Sequence, residues 1–252
     1  MIRAVLFDFG GVLTETCWDS QMIARITYDT LVSEGVTPPP NFIDIMLQVM
    51  DERHKRVLIT MREETLEEIV RETLDRCALS ITDEIVEKAV ENIEEAPFCK
   101  LRKETPWVLR SLREMGLKLG IISNAPSPFP RKILQRHGLL EYFDAVIISC
   151  EVGYRKPHPK IFELALEELG VKSEEAIFVG DVLEIDIHGA QKLGMITVLM
   201  RYGDPDWKRR VHYLKEIIPY DGDPDYEIEN LGELLDIVKQ LLMRENAREK
   251  VQ

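Results

Sequence analysis

Near its amino terminus the chain reads Ala4-Val5-Leu6 and then Phe7-Asp8-Phe9-Gly10-Gly11-Val12-Leu13. The apolar residues predict a buried strand. An aspartate then leaves that strand for two glycines, which let the backbone turn sharply and approach a ligand closely. Open α/β sheets place their chemistry beyond the carboxyl ends of the strands. Asp8 therefore lies where a catalytic group is expected, although an aspartate at a strand end can also cap a turn or a helix.

Short apolar strands alternate with amphipathic helices over the second half of the chain. Strands are predicted at 117–123, 145–149, 176–180 and 196–200, with a short edge strand at 226–228. Helices are predicted at 130–137, 159–169, 185–193 and 231–243. Continuous apolar strands flanked by helices indicate an α/β fold with a parallel sheet covered on both faces.

No good strand candidate occurs between residues 15 and 100. Helices are predicted there at 19–34, 41–57, 65–78 and 82–94, and Thr82 with the glutamates that follow it predicts a capped helix start. An all-helical insertion thus interrupts the α/β fold just after its first strand. We expect it to lie above the carboxyl ends of the strands, where it can act as a lid.

The composition predicts a soluble globular protein of the cytoplasm. The chain has 252 residues, 45% of them hydrophobic, and a net charge of −13, which argues against nucleic acid or an anionic membrane surface as partner. No apolar run approaches the roughly 20 residues of a membrane span, and a strand that begins at Ile2 leaves no room for a signal segment. Many Glu, Lys and Arg with few Asn and Gln are typical of heat-adapted proteins.

The four cysteines, Cys17, Cys77, Cys99 and Cys150, lie far apart and form no C-x-x-C pair. This spacing predicts reduced, mostly buried thiols in a cytosolic protein.

Two further segments carry groups suited to an anion. Ser123 and Asn124 follow an apolar strand, and their hydroxyl and amide can donate hydrogen bonds to a phosphate. Lys156 precedes a predicted helix, whose positive amino end would reinforce the charge of the lysine. The alternatives are a Ser-Asn turn ahead of Pro126 and an exposed lysine in a proline-rich loop.

Asp181 and Asp186 flank a predicted turn from strand into helix. If these carboxylates converge with Asp8, they repel one another unless a cation or a shared proton lies between them. Hard oxygen ligands suit Mg²⁺. Asp186 can instead cap the helix.

In order and position, these four segments resemble the motifs of the haloacid dehalogenase-like (HAD) superfamily, and the resemblance covers nearly the whole chain. It implies a Rossmann-like, doubly wound core domain formed by residues 1–14 and 101–252, and a helical cap domain formed by residues 15–100.

The resemblance also implies a role for each candidate residue. Asp8 would be the nucleophile of a covalent aspartyl intermediate, and Lys156 would neutralise both the nucleophile and the phosphate. The remaining roles are phosphate binding by Ser123 and Asn124, and Mg²⁺ binding by Asp8, the carbonyl of Gly10, Asp181 and, directly or through water, Asp186.

Gly10 departs from the pattern of the family's phosphatases, which have a second aspartate two residues after the nucleophile. That aspartate protonates the leaving group and later activates water. General acid–base help is typically worth about 10²–10⁴-fold. We therefore expect slow turnover of unactivated esters unless Glu15, His54 or the substrate itself substitutes.

The prediction is a Mg²⁺-dependent phosphatase, monomeric or homodimeric, that acts on a small-molecule phosphate ester. A haloacid dehalogenase also lacks the second aspartate, but the pair Asp181 and Asp186 disfavours a carboxylate substrate. A phosphonate hydrolase would need a lysine from the cap, and Lys55 and Lys88 are available. A binding protein without activity is the alternative from another class.

The identity of the substrate would depend on side chains of the cap. Candidates are Trp18, Arg25, Arg53 and His54.

Overall fold

The computed structural model describes residues 1–15, 19–97, 99–201, 214, 217–220 and 222–249. Within them, six short strands form one parallel sheet, and the first five are mainly apolar and largely buried. They are β1 (Ala4–Phe7), β2 (Lys118–Ser123), β3 (Ala145–Ile148), β4 (Ala176–Gly180), β5 (Ile196–Met200) and β6 (Tyr226–Ile228). The spatial order is β3-β2-β1-β4-β5-β6, so the first strand is central. This order confirms the doubly wound α/β fold.

The helices of the described residues agree with the sequence patterns to within a few residues in most places. They are α1 (Ser20–Ser33), α2 (Phe42–Thr60), α3 (Leu66–Arg76), α4 (Asp83–Glu95), α5 (Thr105–Glu114), α6 (Phe129–Arg136), α7 (Ser149–Val152), α8 (Pro159–Leu169), α9 (His188–Lys192) and α10 (Leu234–Glu249). Short helical turns add Phe9–Leu13, Leu140–Tyr142, Ser173–Glu175, Leu183–Ile187 and Leu231–Glu233.

The two faces of the sheet bury different helices because successive strand residues point to opposite sides. Val5 and Phe7 of β1 face a core that also contains apolar residues of α5, α6 and α10. Ala4 and Leu6 face a second core, which contains residues of α8 and α9 such as Phe162. The carboxyl ends of the strands are left at one edge, where the candidate site lies.

Helices α1 to α4, which we call the helical insertion, pack around a core of their own that includes Ile23, Phe42, Val70 and Ile93. The side chain of Thr82 makes no capping hydrogen bond, so the predicted cap at that helix start is wrong. A capping box is present one helix earlier, where Thr65 begins α3.

The chain enters and leaves the helical insertion through two neighbouring segments. The amide of Glu15 donates to the carbonyl of Lys100 over 2.8 Å, and the amide of Arg102 donates to the carbonyl of Leu13 over 3.1 Å. Thr14 and Leu101 form an antiparallel bridge. The entry and exit segments are therefore bonded directly to each other.

The prediction of four reduced cysteines is wrong for Cys99, which is disulfide-bonded. Cys77 and Cys150 are free thiols. Cys17 lies outside the described residues.

Within the described residues, every helix is too short or too polar to cross a membrane.

Candidate active site

Strand β1 carries Asp8 to the carboxyl edge of the sheet, where the amide of Asp8 donates to the carbonyl of Val179 over 2.8 Å. The turn that follows is held from behind by Arg102. The guanidinium group of Arg102 donates to the carbonyls of Gly11 (2.6 Å) and Val12 (3.1 Å). The backbone around Asp8 is thus fixed by main-chain and guanidinium contacts.

Two glycines near Asp8 are required by the close approach of carboxylates. Gly11 has a φ of +80°, and a Cβ there would lie 2.1 Å from Oδ2 of Asp181. A Cβ on Gly180 would lie 2.3 Å from that of Asp186. Gly10 is different: its φ is −75°, and a Cβ at this position would meet no heavy atom within 4 Å.

Three carboxylates converge at this edge of the sheet, as the sequence predicted. Asp8, Asp181 and Asp186 each offer an oxygen, and these oxygens all lie within 4.8 Å of one another. Nζ of Lys156 lies 2.7 Å from Oδ1 of Asp8 and 2.7 Å from Oδ1 of Asp186. The cluster has a formal charge of −2, counting three carboxylates and one ammonium group.

Burial shapes the protonation of this cluster. It raises the pKa of Asp8 to about 6, while Lys156 lowers that pKa and Asp186 raises it. Burial lowers the pKa of Lys156, but the charges of Asp186 and Asp8 raise it by more than burial lowers it. The pKa of Lys156 therefore lies above its ordinary value. Lys156 is only 1% exposed and lies 5.5 Å from the ring centre of Phe178. It is therefore a fixed cation between two carboxylates.

Both oxygens of Asp186 are engaged within the protein. Oδ1 pairs with Lys156, and Oδ2 accepts from the amides of Asp181 (3.1 Å) and Val182 (3.0 Å). These amides precede Asp186 in the chain, so its side chain closes the turn after β4 rather than capping the start of α9. Asp181, whose carboxylate lies against Gly11, contributes the third carboxylate of the cluster.

Ser123 and Asn124 lie at the end of β2, next to β1. Ile121 pairs with Phe7 in the sheet, which brings Ser123 level with the start of the Asp8 turn, and Ser123 is buried. Oδ1 of Asn124 accepts from the amide of Lys156 (2.8 Å), and its Nδ2 donates to the Lys156 carbonyl (3.0 Å). The sequence analysis missed this contact, which holds the main chain of the lysine.

The proposed substitutes for the missing aspartate have other partners or a low basicity. The carboxylate of Glu15 lies 3.0 Å from Nζ of Lys100. Burial and the charge of Arg155 lower the pKa of His54, which leaves its imidazole neutral at pH 7. In this arrangement His54 is a poor proton donor.

The other cap candidates lie mostly in ion pairs of the helical insertion. Arg25 pairs with Asp29, and Arg53 pairs with Glu64 and Glu72. Trp18 lies outside the described residues.

The two lysines required by the phosphonate alternative are also paired. Lys55 pairs with Asp51 and Lys88 with Glu34, and both lysine side chains are about half exposed. They are surface ion pairs in this structure.

The sequence profile of the haloacid dehalogenase-like hydrolase family matches residues 2–194 of the chain. The chain belongs to this family. Its resemblance to the HAD superfamily, inferred from four motifs, is thereby confirmed.

Among curated relatives, this HAD-family chain is 33% identical to a glyceraldehyde 3-phosphate phosphatase of Methanopyrus kandleri, over 96% of this chain and 99% of the relative. Among solved structures, it is similar to a HAD phosphatase of Thermococcus onnurineus (TM-score 0.58, 26% identity), over 94% of this chain and 98% of that one. It is also similar to a 2-haloacid dehalogenase of Pseudomonas syringae (TM-score 0.71, 24% identity, 96% and 100% covered). The last similarity concerns the fold alone.

Proposed function

We propose that this protein is a Mg²⁺-dependent phosphatase that hydrolyses a small phosphorylated metabolite through a covalent aspartyl-phosphate on Asp8. The observation that carries the proposal is the convergence of Asp8, Asp181 and Asp186 around the buried ammonium group of Lys156. The similarity to a curated glyceraldehyde 3-phosphate phosphatase over nearly the whole chain supports this activity.

The donor set fits a hard divalent cation. Its formal charge of −2 would be balanced by one such ion, and carboxylate and carbonyl oxygens are the ligands that Mg²⁺ prefers. Asp8, Asp181 and the carbonyl of Gly10 would hold the ion, and Asp186 would act through water because both its oxygens are engaged. When bound, the ion would offset the charge of the phosphate and of the nucleophile.

In the proposed reaction, an oxygen of Asp8 attacks phosphorus and forms an acyl phosphate as the bond to the leaving oxygen breaks. Lys156 balances the negative charge that gathers on the phosphoryl oxygens. The hydroxyl of Ser123 donates a hydrogen bond to one of those oxygens. Asn124 acts by holding the main chain of Lys156 in place. Water then hydrolyses the acyl phosphate and restores Asp8.

Gly10 sets the expected rate. Without an acid at this position the leaving group departs as an anion or takes its proton from solvent, so turnover of alkyl phosphates is slow. General acid–base help of about 10²–10⁴-fold is missing.

We also propose that residues 1–14 and 101–252 form the core domain and residues 15–100 the cap domain. The core formed by α1 to α4 supports this division. We also propose a cytoplasmic location together with heat adaptation. The disulfide of Cys99 is compatible with this combination, since disulfides are rare in cytosolic proteins except those of hyperthermophiles.

The test is phosphate release from a panel of small phosphate esters, with Mg²⁺ and with chelator. We expect release that needs the ion and is abolished in Asp8→Asn, since an amide is a poor nucleophile. Full activity in chelator would contradict the metal role. Residual turnover in Asp8→Asn would contradict the covalent mechanism.

Gly10 also favours a second candidate function, carbon–halogen hydrolysis, because dehalogenases of the family lack the same aspartate. Chloride release from 2-chloropropionate belongs in the same screen. Release of chloride without release of phosphate would replace the proposed function, and ligand binding without release of either would point to a binding protein.

A further inference from the structure

Glu63 lies between α2 and α3 of the helical insertion, yet its carboxylate is bound by residues of the α/β core. Oε2 accepts from the hydroxyl of Ser149 over 2.6 Å, and Nη1 of Arg155 lies 3.2 Å from Oε1. The side chain of Glu63 is 5% exposed and that of Arg155 is 11% exposed. Ser149 is fully buried. We call these three residues the Glu63 junction.

Main-chain hydrogen bonds hold the same loop of the insertion against the core. The amide of Glu63 donates to the carbonyl of Gly153 (3.2 Å), and the amide of Arg155 donates to that of Met61 (3.2 Å). On the other side, the amide of Leu66 donates to the carbonyl of Pro126 over 2.7 Å. The loop formed by residues 61–66 thus lies along two separate core segments.

Both segments lead directly to groups of the candidate active site. Arg155 precedes Lys156 in the chain. The hydroxyl of Ser149 also accepts from the amide of Ala125 over 2.8 Å, and Ala125 follows Asn124. Because Asn124 binds the main chain of Lys156, the Glu63 junction closes a ring of contacts around the two segments.

The neighbouring Glu64 shows how differently two acidic residues of one loop are used. Its carboxylate binds Arg53 and Arg56, both in α2, and so joins parts of the insertion to each other. Glu63 contributes to contacts across to the core instead. A buried ion pair is weak evidence for a gain in stability, since the cost of desolvation offsets the attraction. A positioning role accounts for a buried charge at this place.

We propose that Glu63 is a positioning residue for phosphoryl transfer. Its carboxylate acts through Arg155 and Ser149 to set the segments that end in Lys156 and Asn124, so that docking of the helical insertion completes the site. The proposal rests on the proposed function for its chemistry.

The experiment compares Glu63→Gln with Glu64→Gln, a matched control in the same loop. Misplacement of reacting groups by about 1 Å can cost about 10²-fold in rate. We expect kcat of Glu63→Gln to fall by about 10- to 100-fold with KM for the ester little changed, and kcat of Glu64→Gln to stay at the wild-type value. Ser149→Ala, which removes the hydroxyl that donates to Oε2 of Glu63, should also lower kcat.

Amide hydrogen exchange supplies a readout that needs no activity. Peptides that cover residues 124–127 and 153–157 should exchange faster in Glu63→Gln than in the wild type or Glu64→Gln, since both are held through the Glu63 junction. If Glu63→Gln does not fold, Ser149→Ala is measured in its place.

Three outcomes would overturn the inference. They are an unchanged kcat in Glu63→Gln, an equal loss in Glu64→Gln, and a loss of kcat with unchanged exchange at both segments. Absence of phosphate release from the wild-type protein is a different result, which overturns the proposed function and the positioning role with it.

Discussion

Replacing Gly10 by aspartate would restore to the site the carboxylate that phosphatases of the family carry at this position. The structure accommodates the change. A Cβ at position 10 meets no heavy atom within 4 Å, and a φ of −75° with a ψ of 132° suits any L-residue. The backbone therefore has no steric reason to move, in contrast to Gly11, where a Cβ would strike Asp181.

The expected gain follows from what the carboxylate would do. A general acid in place contributes about 10²–10⁴-fold, or roughly 3–5 kcal/mol of the barrier at 1.36 kcal/mol for each factor of ten. A new carboxylate also adds a fourth negative group to a cluster whose formal charge is already −2. We therefore expect Gly10→Asp to be less stable than the wild type in chelator and to regain stability with Mg²⁺.

The assay measures phosphate release from two ester classes in both proteins. Alkyl phosphates, whose leaving group needs a proton, should be hydrolysed faster by Gly10→Asp. p-Nitrophenyl phosphate, whose leaving group departs readily as an anion, should change much less. Rates that stay at the wild-type value for both classes in a folded variant would refute the reasoning, since either another residue already transfers the proton or phosphoryl transfer is not the chemistry of this protein. Asp8→Asn in the same background is the control and should be inactive.

Further perturbations test the metal, the buried charges and the hinge. Asp181→Ala should lose Mg²⁺ binding in calorimetry and phosphatase activity while its circular dichroism spectrum is unchanged; a retained affinity would exclude Asp181 as a ligand. Because the pKa of Asp8 is raised from 3.8 to about 6 in the folded protein, protonation of Asp8 stabilises the fold. This contribution is complete below pH 3.8 and is lost as pH rises through 6. Between pH 4 and 7 the metal-free wild type should thus lose about 2 kcal/mol of unfolding free energy relative to Asp8→Asn, and an equal dependence of stability on pH in the two proteins would contradict this. Burial and nearby glutamates raise the pKa of Cys150 to about 12, so iodoacetamide at pH 8 should label Cys150 more slowly than the less buried Cys77, as peptide mapping can check. Limited proteolysis should cut first near residues 13–18 and 97–103, and a bound phosphate mimic should protect both places; early cuts elsewhere would count against a hinge there.

The sequence patterns predicted the sheet well because its strands are short apolar runs between amphipathic helices. The bounds of β4 and β5 agree with the predicted ones, 176–180 and 196–200. Helix α5 was missed, although Val108, Leu109 and Leu112 repeat at helical spacing. Thr82 does precede α4, but the capping hydrogen bond predicted for its side chain is absent. A threonine can begin a helix without such a bond, so the residue type alone does not decide it.

The convergence of Asp8, Lys156, Asp181 and Asp186 could be predicted because parallel strands end at one edge of the sheet. Contacts that depend on tertiary packing could not. Asn124 and Lys156 lie 32 residues apart. The sequence pattern predicted that both would contact the phosphate, but it did not indicate that Asn124 holds the main chain of Lys156. The partners Glu63 and Arg155 lie 92 residues apart, on segments whose docking no local pattern encodes.

The entry and exit segments of the helical insertion were found bonded to each other near Glu15 and Lys100. Two chain segments that are hydrogen-bonded in this way can bend together. They resist sliding along each other, because sliding would break the hydrogen bonds between them. We therefore expect any motion of the insertion relative to the sheet to be a swing about the axis of these paired segments. We expect such a swing to close the insertion over a substrate bound at Asp8. Each closure would return the loop formed by residues 61–66 to the same two core segments.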